Sequence, residues 1–299
     1  MKYVLVHNIP SPYRLPLYRE MRRQLAERGV DFEVHFMAKG HKERPKSWLN
    51  PHIDAPHRYW RDWGFGQHHF NPGLVFSMIR NPPEWLDLGS PYDTFTCILL
   101  ALFCKSPNKV MVLEGNTKTP GRVHGFVGWF KRLIMSKAKY LPVPGHDAKK
   151  FIDIHRLLTN KKLGPAPFRP NIIDAERFHP KDCWEQNDIE ACRKEFGVSR
   201  DMRMCLIPAR LVKVKGLIPF IELLNKEMIS GWKIIIVGDG PLRSDIIAAI
   251  SRRGLNDNIQ MHSFVPYEKM PIIYASSDLV MLPSVYDPNP LTADRKSVV

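Results

Sequence analysis

Long hydrophobic runs, paired cysteines and clustered metal ligands are all missing from this sequence. The longest apolar run, near Thr94–Cys104, is about half of the ~20 residues that a membrane-spanning helix needs, which argues against an integral membrane protein. No leader peptide is visible, because the chain opens directly on an apolar strand pattern. The five cysteines are scattered without a Cys-x-x-Cys pair or neighbouring histidines at zinc spacing, which predicts a reduced, intracellular protein.

Acidic residues are also in short supply. There are 30 Asp and Glu against 44 Lys and Arg, so the formal net charge is +14 and the pI is near 9.6. Such a charge favours nucleotide diphosphates, nucleic acid or an anionic membrane surface, and by itself does not choose among them. The 299 residues suffice for two domains, and a hydrophobic content of 44% with 25% charged residues is that of a soluble globular protein.

The first segments alternate as strand, helix and strand. Residues Tyr3–Ile9 and Phe32–Met37 have strand patterns, and apolar residues between them follow helical spacing up to Gly29. This βαβ unit predicts a parallel sheet with a right-handed crossover. Its first loop would lie at the carboxyl end of the sheet, where it presents Ser11, Tyr13 and Arg14 to a ligand. The alternative is that Pro-Ser-Pro only starts the helix and Arg14 is solvated.

Residues Ala38–Pro83 have poor periodicity, frequent Pro and Gly, and many aromatic residues and histidines. We predict a long aromatic loop that either binds an acceptor or simply packs onto its own domain. Its histidines lack i, i+4 spacing, so no metal site is predicted.

Strand, helix and strand patterns follow at Trp85–Leu88, Phe95–Phe103 and Lys109–Leu113. Glu114 and His124 are candidates for a catalytic or sugar-contacting role beyond the last of these strands. The alternative is that Glu114 caps a turn and His124 has no special role. The basic helix Trp129–Leu141 either lies on an anionic bilayer or, more commonly for such helices, buries its apolar stripe in its own domain.

Residues Lys161–Pro180 are rich in Pro and Gly and are the best linker candidate, because three prolines forbid a helix interior. Beyond them, a short charged helix is predicted at Asp188–Phe196. Four strand patterns then follow, at Met204–Pro208, Lys233–Val237, Ile259–Val265 and Leu279–Pro283. A helical pattern comes after each of the first three strands. This is a second parallel βαβ series.

The loops of this second series carry residues suited to an anion. Arg210 and Lys215 lie between a strand and a helix N-terminus, where free backbone N–H groups and the helix dipole favour a diphosphate. Gly238 and Gly240 permit close backbone approach to a ligand. Backbone groups after the third strand, at Val265 and Pro266, are expected at a base edge.

The last loop, which begins after Pro283, offers the carboxylate of Asp287 to sugar hydroxyls. The alternatives are a solvated basic loop around Arg210 and Lys215 and a simple Asp-Pro-Asn-Pro turn after Tyr286.

These segments together resemble the retaining glycosyltransferases of the GT-B fold, specifically family 4 (glycosyl transferases group 1). The resemblance is carried by four stretches in order: Ile9–Leu17, Pro170–Phe178, the Arg210 to Lys215-Gly216 loop with Gly238–Pro241, and Pro283–Leu291. It implies an α/β fold with two Rossmann-like parallel-sheet domains facing a cleft. Residues 1–165 would form the acceptor-side domain, and residues 166–299 the nucleotide-sugar donor domain.

The resemblance implies transfer of a sugar from a nucleoside-diphosphate sugar to an acceptor hydroxyl, with retention and without a cofactor or an essential metal. Arg210 and Lys215 would hold the diphosphate, and Asp287 would contact the sugar where the family has Glu. Asn289, Pro290 and Leu291 would line the donor through backbone groups. The basic charge suits a glycan or lipid-linked acceptor in surface polysaccharide synthesis, in the cytoplasm or at the inner membrane face.

Two departures from the family pattern bear on activity. Arg295 stands where a second Glu is expected, and the family pattern leads us to expect a donor domain without its closing part. We therefore expect an incomplete second domain, with poor stability and weak or no activity. An inactive, binding-only fragment, a basic nucleic-acid-binding protein and a nucleotide-sugar epimerase stay open as alternatives.

Overall fold

The chain divides into two compact units in a computed structural model, Met1–Ile172 and Ile173–Val299. The structure describes residues 1–40, 51–65, 68–89, 93–113, 123–172, 174, 177–178, 183–287 and 295. Each unit is an α/β structure around a parallel sheet, as the strand and helix patterns predict.

The first unit is built on five parallel strands in the order β3-β2-β1-β4-β5. Its strands are β1 Lys2–His7, β2 Asp31–Phe36, β3 His57–Tyr59, β4 Trp85–Leu88 and β5 Asn108–Met111. Its helices are α1 Leu15–Ala26, α2 Pro72–Arg80, α3 Phe95–Phe103, α4 Gly125–Met135 and α5 His146–Leu157. The sheet has apolar residues on both faces, as expected where helices cover a parallel sheet.

Two apolar clusters fill this unit. Leu5, Val34 and Phe36 pack with Tyr18 of α1, whereas Val4, Val6 and Leu88 pack in the cluster that takes in buried residues of α2 to α5. The alternation of neighbouring β1 residues between the two clusters is the period-2 pattern of a strand buried on both faces.

The long loop predicted for Ala38–Pro83 is wrong in two places, because it contains strand β3 and helix α2. Helix α2 begins at Pro72, a favoured residue for a first turn, and buries Leu74 and Met78 at a spacing of four. Exposed Phe76 and Ile79 interrupt the apolar stripe and hide its period.

Helix α4 also differs from the predicted Trp129–Leu141 helix, since it begins at Gly125 and ends at Met135. Tyr140 instead extends the sheet by a parallel bridge to Val110, and the Lys139 N–H donates to the Lys109 carbonyl at 2.8 Å. Residues 139–140 therefore pair with the sheet, although their spacing in the sequence is helical.

The second unit has four parallel strands in the order β8-β7-β6-β9. In chain order its elements are α6 Gln186–Glu195, β6 Arg203–Pro208, α7 Leu217–Leu223, β7 Trp232–Val237, α8 Arg243–Arg252, β8 Ile259–His262, α9 Met270–Ser276 and β9 Leu279–Val280. Helix α7 ends at Leu223, although apolar residues at helical spacing continue to Leu224 and Met228. Leu224 is extended, and its carbonyl accepts hydrogen bonds from the Arg253 guanidinium.

The division between the units falls after Ile172, seven residues beyond the predicted boundary at 165. Residues 165–169 still belong to the first sheet. The carbonyls of Pro165 and Pro167 accept hydrogen bonds from the N–H groups of Leu141 and Val143, and Arg169 is paired with Asp87. Prolines, which cannot donate, sit here at an edge where only their carbonyls are used.

Among the helices that the structure describes, none is long and apolar enough to cross a bilayer.

Candidate functional site

The order of the strands in the second sheet creates a switch point between β6 and β9. From β6 the chain moves to β7 and β8 on one side, and then returns to place β9 on the other side of β6. In open parallel sheets a crevice forms at the carboxyl ends of the two strands at such a point, and ligands bind there. The loops that leave these two strands carry Arg210, Lys215 and Asp287.

The loop after β6 is joined to the glycine turn after β7. The Leu211 N–H donates to the Asp239 carbonyl at 3.0 Å, and the Leu242 N–H donates to the Leu211 carbonyl at 3.1 Å. A Cβ at Gly238 would lie 1.9 Å from the Ala209 carbonyl oxygen, and one at Gly240 would lie 2.6 Å from the Leu211 carbonyl oxygen. Both glycines therefore allow two loops to touch, and their predicted close approach to a ligand stays a prediction.

The loop after β6 is also joined to the loop after β9. Gly216 has φ of 65°, and a Cβ there would lie 2.1 Å from the Pro283 carbonyl oxygen. The Val285 N–H donates to the Val214 carbonyl at 3.0 Å. Three loops of the second unit thus form one connected surface at the carboxyl edge of its sheet.

Lys215 and Asp287 meet on this surface. The Lys215 Nζ donates to Asp287 Oδ2, and their side chains are 19% and 21% exposed. The pair is therefore shielded from bulk solvent and yet open to a ligand. The exposed Arg210 side chain has no recorded ion pair or hydrogen bond within the described part of the chain. The site can offer one free guanidinium and a paired ammonium and carboxylate to a charged ligand.

The other predicted donor residues are less closely placed. Val265 and Pro266 follow β8, two strands away from β6. Val265 packs against the buried cluster of Phe178 and Tyr274, and Pro266 precedes a short 3-10 turn. Glu114, Asn289, Pro290 and Leu291 lie outside the described residues, so their roles stay predictions.

The first sheet has a switch point of its own between β1 and β4. Ser11, Tyr13 and Arg14 lie in the loop after β1, as predicted, where the Arg14 N–H closes a 3-10 turn on the Ser11 carbonyl at 2.8 Å. Ser11 is buried, and the Arg14 guanidinium lies 5.7 Å from the Tyr13 ring centroid. His124 is exposed and precedes α4, beyond β5.

Sequence reasoning missed a buried histidine at this switch point. His7 ends β1, and its Nδ1 lies 2.7 Å from the Tyr18 hydroxyl. Burial lowers the pKa of His7 well below its usual range, and Arg14 and Arg169 lower it further, so the ring is neutral at pH 7. A Cβ at Gly89, just after β4, would lie 2.2 Å from the ring. A polar residue closing an apolar strand was the signal available in the sequence.

A buried ion pair in the first unit was missed as well. The Arg169 Nη1 donates to Asp87 Oδ2 at 2.6 Å, and the Tyr3 hydroxyl donates to the same oxygen at 2.8 Å. Asp87 is fully buried, and its charge raises the pKa of Arg169. The sequence shows no sign of a pair that is 82 residues apart.

The described residues contain no group of three or more His, Cys, Asp or Glu side chains placed to hold a metal ion. This observation covers that part of the chain only and does not bear on the reaction.

A family model matches most of the second unit. Residues 188–293 match the family model of glycosyl transferases group 1. Alpha-D-kanosaminyltransferase of Streptomyces kanamyceticus is 32% identical over 126 residues, which cover 38% of this chain and 32% of that protein. The 2-deoxystreptamine glucosyltransferase of the same organism is 25% identical over 121 residues, with 40% and 30% covered. The chain thus matches about a third of the length of these relatives.

Solved structures resemble the whole chain. HepE of Anabaena, in complex with UDP and glucose, has a TM-score of 0.71 at 16% identity and covers 100% of this chain and 78% of its own. WaaG, a glycosyltransferase involved in lipopolysaccharide biosynthesis, has a TM-score of 0.68 at 13% identity, with 100% and 79% covered. The fold is therefore that of GT-B glycosyltransferases, as the sequence motifs predicted.

Proposed function

We propose that this chain belongs to a retaining glycosyltransferase of family 4, which transfers a sugar from a nucleoside diphosphate to an acceptor hydroxyl. The observation that carries the proposal is the contact between Lys215 and Asp287 at the β6/β9 switch point, on a loop that also carries the exposed Arg210. The match of residues 188–293 to glycosyl transferases group 1 supports it. So does the similarity to HepE, whose structure contains UDP and glucose.

In the proposed mechanism, the bond between the sugar C1 and the diphosphate oxygen breaks while the acceptor oxygen bonds to C1. Arg210 and Lys215 stabilise the negative charge that develops on the leaving diphosphate. The departing phosphate oxygen accepts the proton of the acceptor hydroxyl. No side-chain nucleophile and no metal step enter this scheme.

Asp287 has two roles in the proposal. In the structure its carboxylate neutralises Lys215, so neither charge is left unpaired in a partly buried site. When the donor binds, the diphosphate takes over Lys215, and the Asp287 carboxylate becomes an acceptor for sugar hydroxyls. Its side chain is one methylene shorter than the Glu of the family pattern, which places the carboxylate nearer to the β9 loop.

Ser11, Tyr13, Arg14 and His124 are proposed for the acceptor side, and Gly238, Gly240, Val265 and Pro266 for the donor side. The acceptor would be a glycan or lipid-linked glycan of surface polysaccharide synthesis. The basic character of the chain is consistent with such an acceptor at an anionic membrane.

Calorimetric titration with UDP and other nucleoside diphosphates tests the donor site. We expect saturable binding, and we expect Arg210→Ala to weaken it. Lys213→Ala, which removes an exposed neighbouring cation, should change the dissociation constant by no more than about twofold. Equal effects of the two substitutions would refute the assignment of Arg210. Binding without sugar transfer would favour the binding-only alternative, and NMR of the product anomer tests retention.

A nucleic-acid-binding function is the second candidate, and the net charge of +14 is what favours it. Filter binding across a salt series distinguishes it, because phosphate contacts make affinity fall steeply with salt.

A further inference from the structure

The net charge of the chain lies entirely in its first unit. Residues 1–172 contain 27 of the 44 Lys and Arg residues and 13 of the 30 Asp and Glu residues, which gives +14. Residues 173–299 contain 17 of each and are neutral. The unit with the candidate diphosphate site therefore has only a few placed cations near that site, and the excess charge lies in the other unit.

Exposed aromatic rings have the same distribution. Of the nine exposed Phe and Trp side chains among the described residues, eight lie in the first unit and only Phe264 lies in the second. Monomeric soluble proteins rarely group large apolar side chains on the surface unless a partner covers them.

Five of these rings share one edge of the first sheet, and we call them the aromatic rim: Trp63, Phe65, Phe95, Phe126 and Trp129. Trp63 and Phe65 lie in the connection after β3, and Phe95 is the first residue of α3 after β4. Helix α4 runs back from the carboxyl edge, because its exit leads to Tyr140, which pairs in parallel with Val110 of β5. Its first residues, which include Phe126 and Trp129, therefore lie at that edge too.

Hydrogen bonds fix the connection that carries Trp63 and Phe65. Asp62 accepts hydrogen bonds from the N–H groups of Gly64 and Phe70, both at 3.0 Å, and also pairs with the buried ring of His69. The Thr96 N–H donates to the His69 carbonyl at 3.3 Å, which joins this connection to the start of α3. Phe65 is nevertheless 88% exposed.

Helix α4 likewise has buried residues that anchor it and exposed aromatic residues. Ile134 and Met135 are fully buried, whereas Phe126 is 76% exposed and its ring stacks on Trp129 at 5.7 Å. The C-terminal half of the helix thus packs in the core, whereas the rings of its N-terminal half face outward.

Cations accompany the rim. The exposed guanidinium groups of Arg58 and Arg61 lie 4.3 and 5.3 Å from the ring centroids of Trp60 and Trp63. Aromatic side chains at the level of lipid headgroups, with Arg beside them, are the arrangement by which peripheral proteins hold an anionic bilayer.

We propose that the aromatic rim is a docking surface for an anionic phospholipid bilayer, with Phe126 and Trp129 inserted at the headgroup level and Arg58 and Arg61 at lipid phosphates. A bilayer is favoured over nucleic acid because exposed Val127, an aliphatic side chain, lies between the rings of α4 and offers no stacking face for a base. The Ser11–Arg14 loop lies at this same edge. If the proposed function holds, a lipid-linked acceptor would therefore be delivered directly to the acceptor side.

Co-sedimentation with phosphatidylcholine vesicles, with and without phosphatidylglycerol, tests the proposal on the full chain. We expect binding that requires phosphatidylglycerol, weakens with salt and falls at least about tenfold for the double variant Phe126→Ser/Trp129→Ser. The matched control is Phe103→Ser/Leu157→Ser, which removes comparably exposed apolar side chains from the C-terminal ends of α3 and α5, and is expected to bind as the unchanged protein does.

A second pair of variants tests the charge. Arg58→Gln/Arg61→Gln is expected to weaken binding roughly tenfold or more, and Lys161→Gln/Lys162→Gln, which removes the same charge from exposed residues after α5, is expected to have a much smaller effect. Circular dichroism establishes that each variant is folded before it is compared.

The proposal is overturned if the protein ignores anionic vesicles at low salt, if rim and control variants lose binding equally, or if only DNA binding responds to the rim variants. UDP calorimetry on the same variants separates this result from the proposed function. Loss of vesicle binding with intact UDP binding supports the docking surface, whereas absence of UDP binding in every protein counts against the donor site alone.

Discussion

The two units use one architecture in two ways, and their ion pairs show the difference. In the first unit, Arg169 pairs with Asp87, whose carboxylate is fully buried. In the second unit, Lys215 and Asp287 pair at the mouth of a switch point, with about a fifth of each side chain exposed. The acid of the first pair is inaccessible to a ligand, whereas we propose that a ligand opens the second pair.

Surface charge follows the same contrast. The first unit carries the whole excess of Lys and Arg and nearly all exposed rings, whereas the second is neutral and exposes a single phenylalanine among its described residues. A nucleotide is a small ligand that two or three converging cations can hold. An extended anionic surface instead requires charge spread over an area.

Removing one acid from each pair tests this contrast, with the largest expected effect in the first unit. Asp87→Ala removes a fully buried carboxylate that both Arg169 and the Tyr3 hydroxyl bond to, and should lower the free energy of unfolding by about 3 kcal/mol. Asp287→Ala should cost about 1 kcal/mol or less, because Asp287 is itself partly exposed and the flexible stem of Lys215 can turn its ammonium to water. Hydrogen exchange read by mass spectrometry reports each unit separately. Comparable losses in the two units would remove the distinction.

The catalytic contribution of Arg210 is the second test. Arg210→Ala should raise the barrier to sugar transfer by ~3 kcal/mol, or more than a hundredfold in rate, if the guanidinium stabilises the leaving diphosphate. The measurement is kcat/KM for a nucleotide sugar identified in a donor screen. Arg58→Gln is the control from the first unit, and its rate with a water-soluble acceptor should be unchanged. An unaltered rate for Arg210→Ala would remove that role.

Two glycines with the same backbone conformation distinguish strain from packing. Gly29 and Gly216 have φ of 66° and 65°, but a Cβ at Gly29 meets nothing within 4 Å, whereas one at Gly216 meets the Pro283 carbonyl oxygen. Gly29→Ala should cost ~1 kcal/mol of stability from backbone strain alone. Gly216→Ala should cost about 2 kcal/mol more, because the β6 and β9 loops must separate.

Thermal unfolding of the two glycine variants measures these costs, and UDP calorimetry should show weakened binding for Gly216→Ala only. Equal destabilisation by the two changes would mean that the β6 and β9 loops are not tightly joined.

Acid sensitivity comes last, because it has no effect on stability at pH 7 and develops only below about pH 6.5. Burial lowers the pKa of His155 to about 4, with Arg132 and Lys131 adding to it, and its Nε2 has no hydrogen-bond partner among the described residues. The unfolded chain, with a pKa near 6.5, therefore binds the proton more readily than the folded chain. The stability contributed by the neutral ring is complete above about pH 6.5 and is lost as the pH falls toward 4, at roughly 1.4 kcal/mol per pH unit.

Stability curves between pH 7 and 4.5 for the unchanged protein and for His155→Gln test this sign. The substitution should flatten the acid side of the curve for the first unit and leave the second unit unchanged. A steeper acid loss in the variant would contradict the assignment.

Local patterns in the sequence were enough to identify most strands and helices. Strand β7 has the buried run Ile234 to Val237, and such a run bounded by Gly238 is recognisable without any tertiary information. The sequence also predicts that Arg210 and Lys215 lie in a loop, because the position of that loop follows from where strand β6 ends. Helix α2 and strand β3 were missed because exposed aromatic residues on the surface obscure the regular spacing of the buried apolar residues.

The sequence by itself determined the alternation of strands and helices, the positions of the candidate anion-binding loops and the total charge. Only the tertiary structure decided the order β8-β7-β6-β9, which makes β6 and β9 neighbours and brings Lys215 to Asp287 across 72 residues. The tertiary structure also decided where the first unit ends. That boundary shows that the excess charge and most of the exposed aromatic rings lie in the same unit. Periodicity is a property of neighbours in the chain, whereas strand order and ion pairs depend on contacts between distant segments, which local patterns do not encode.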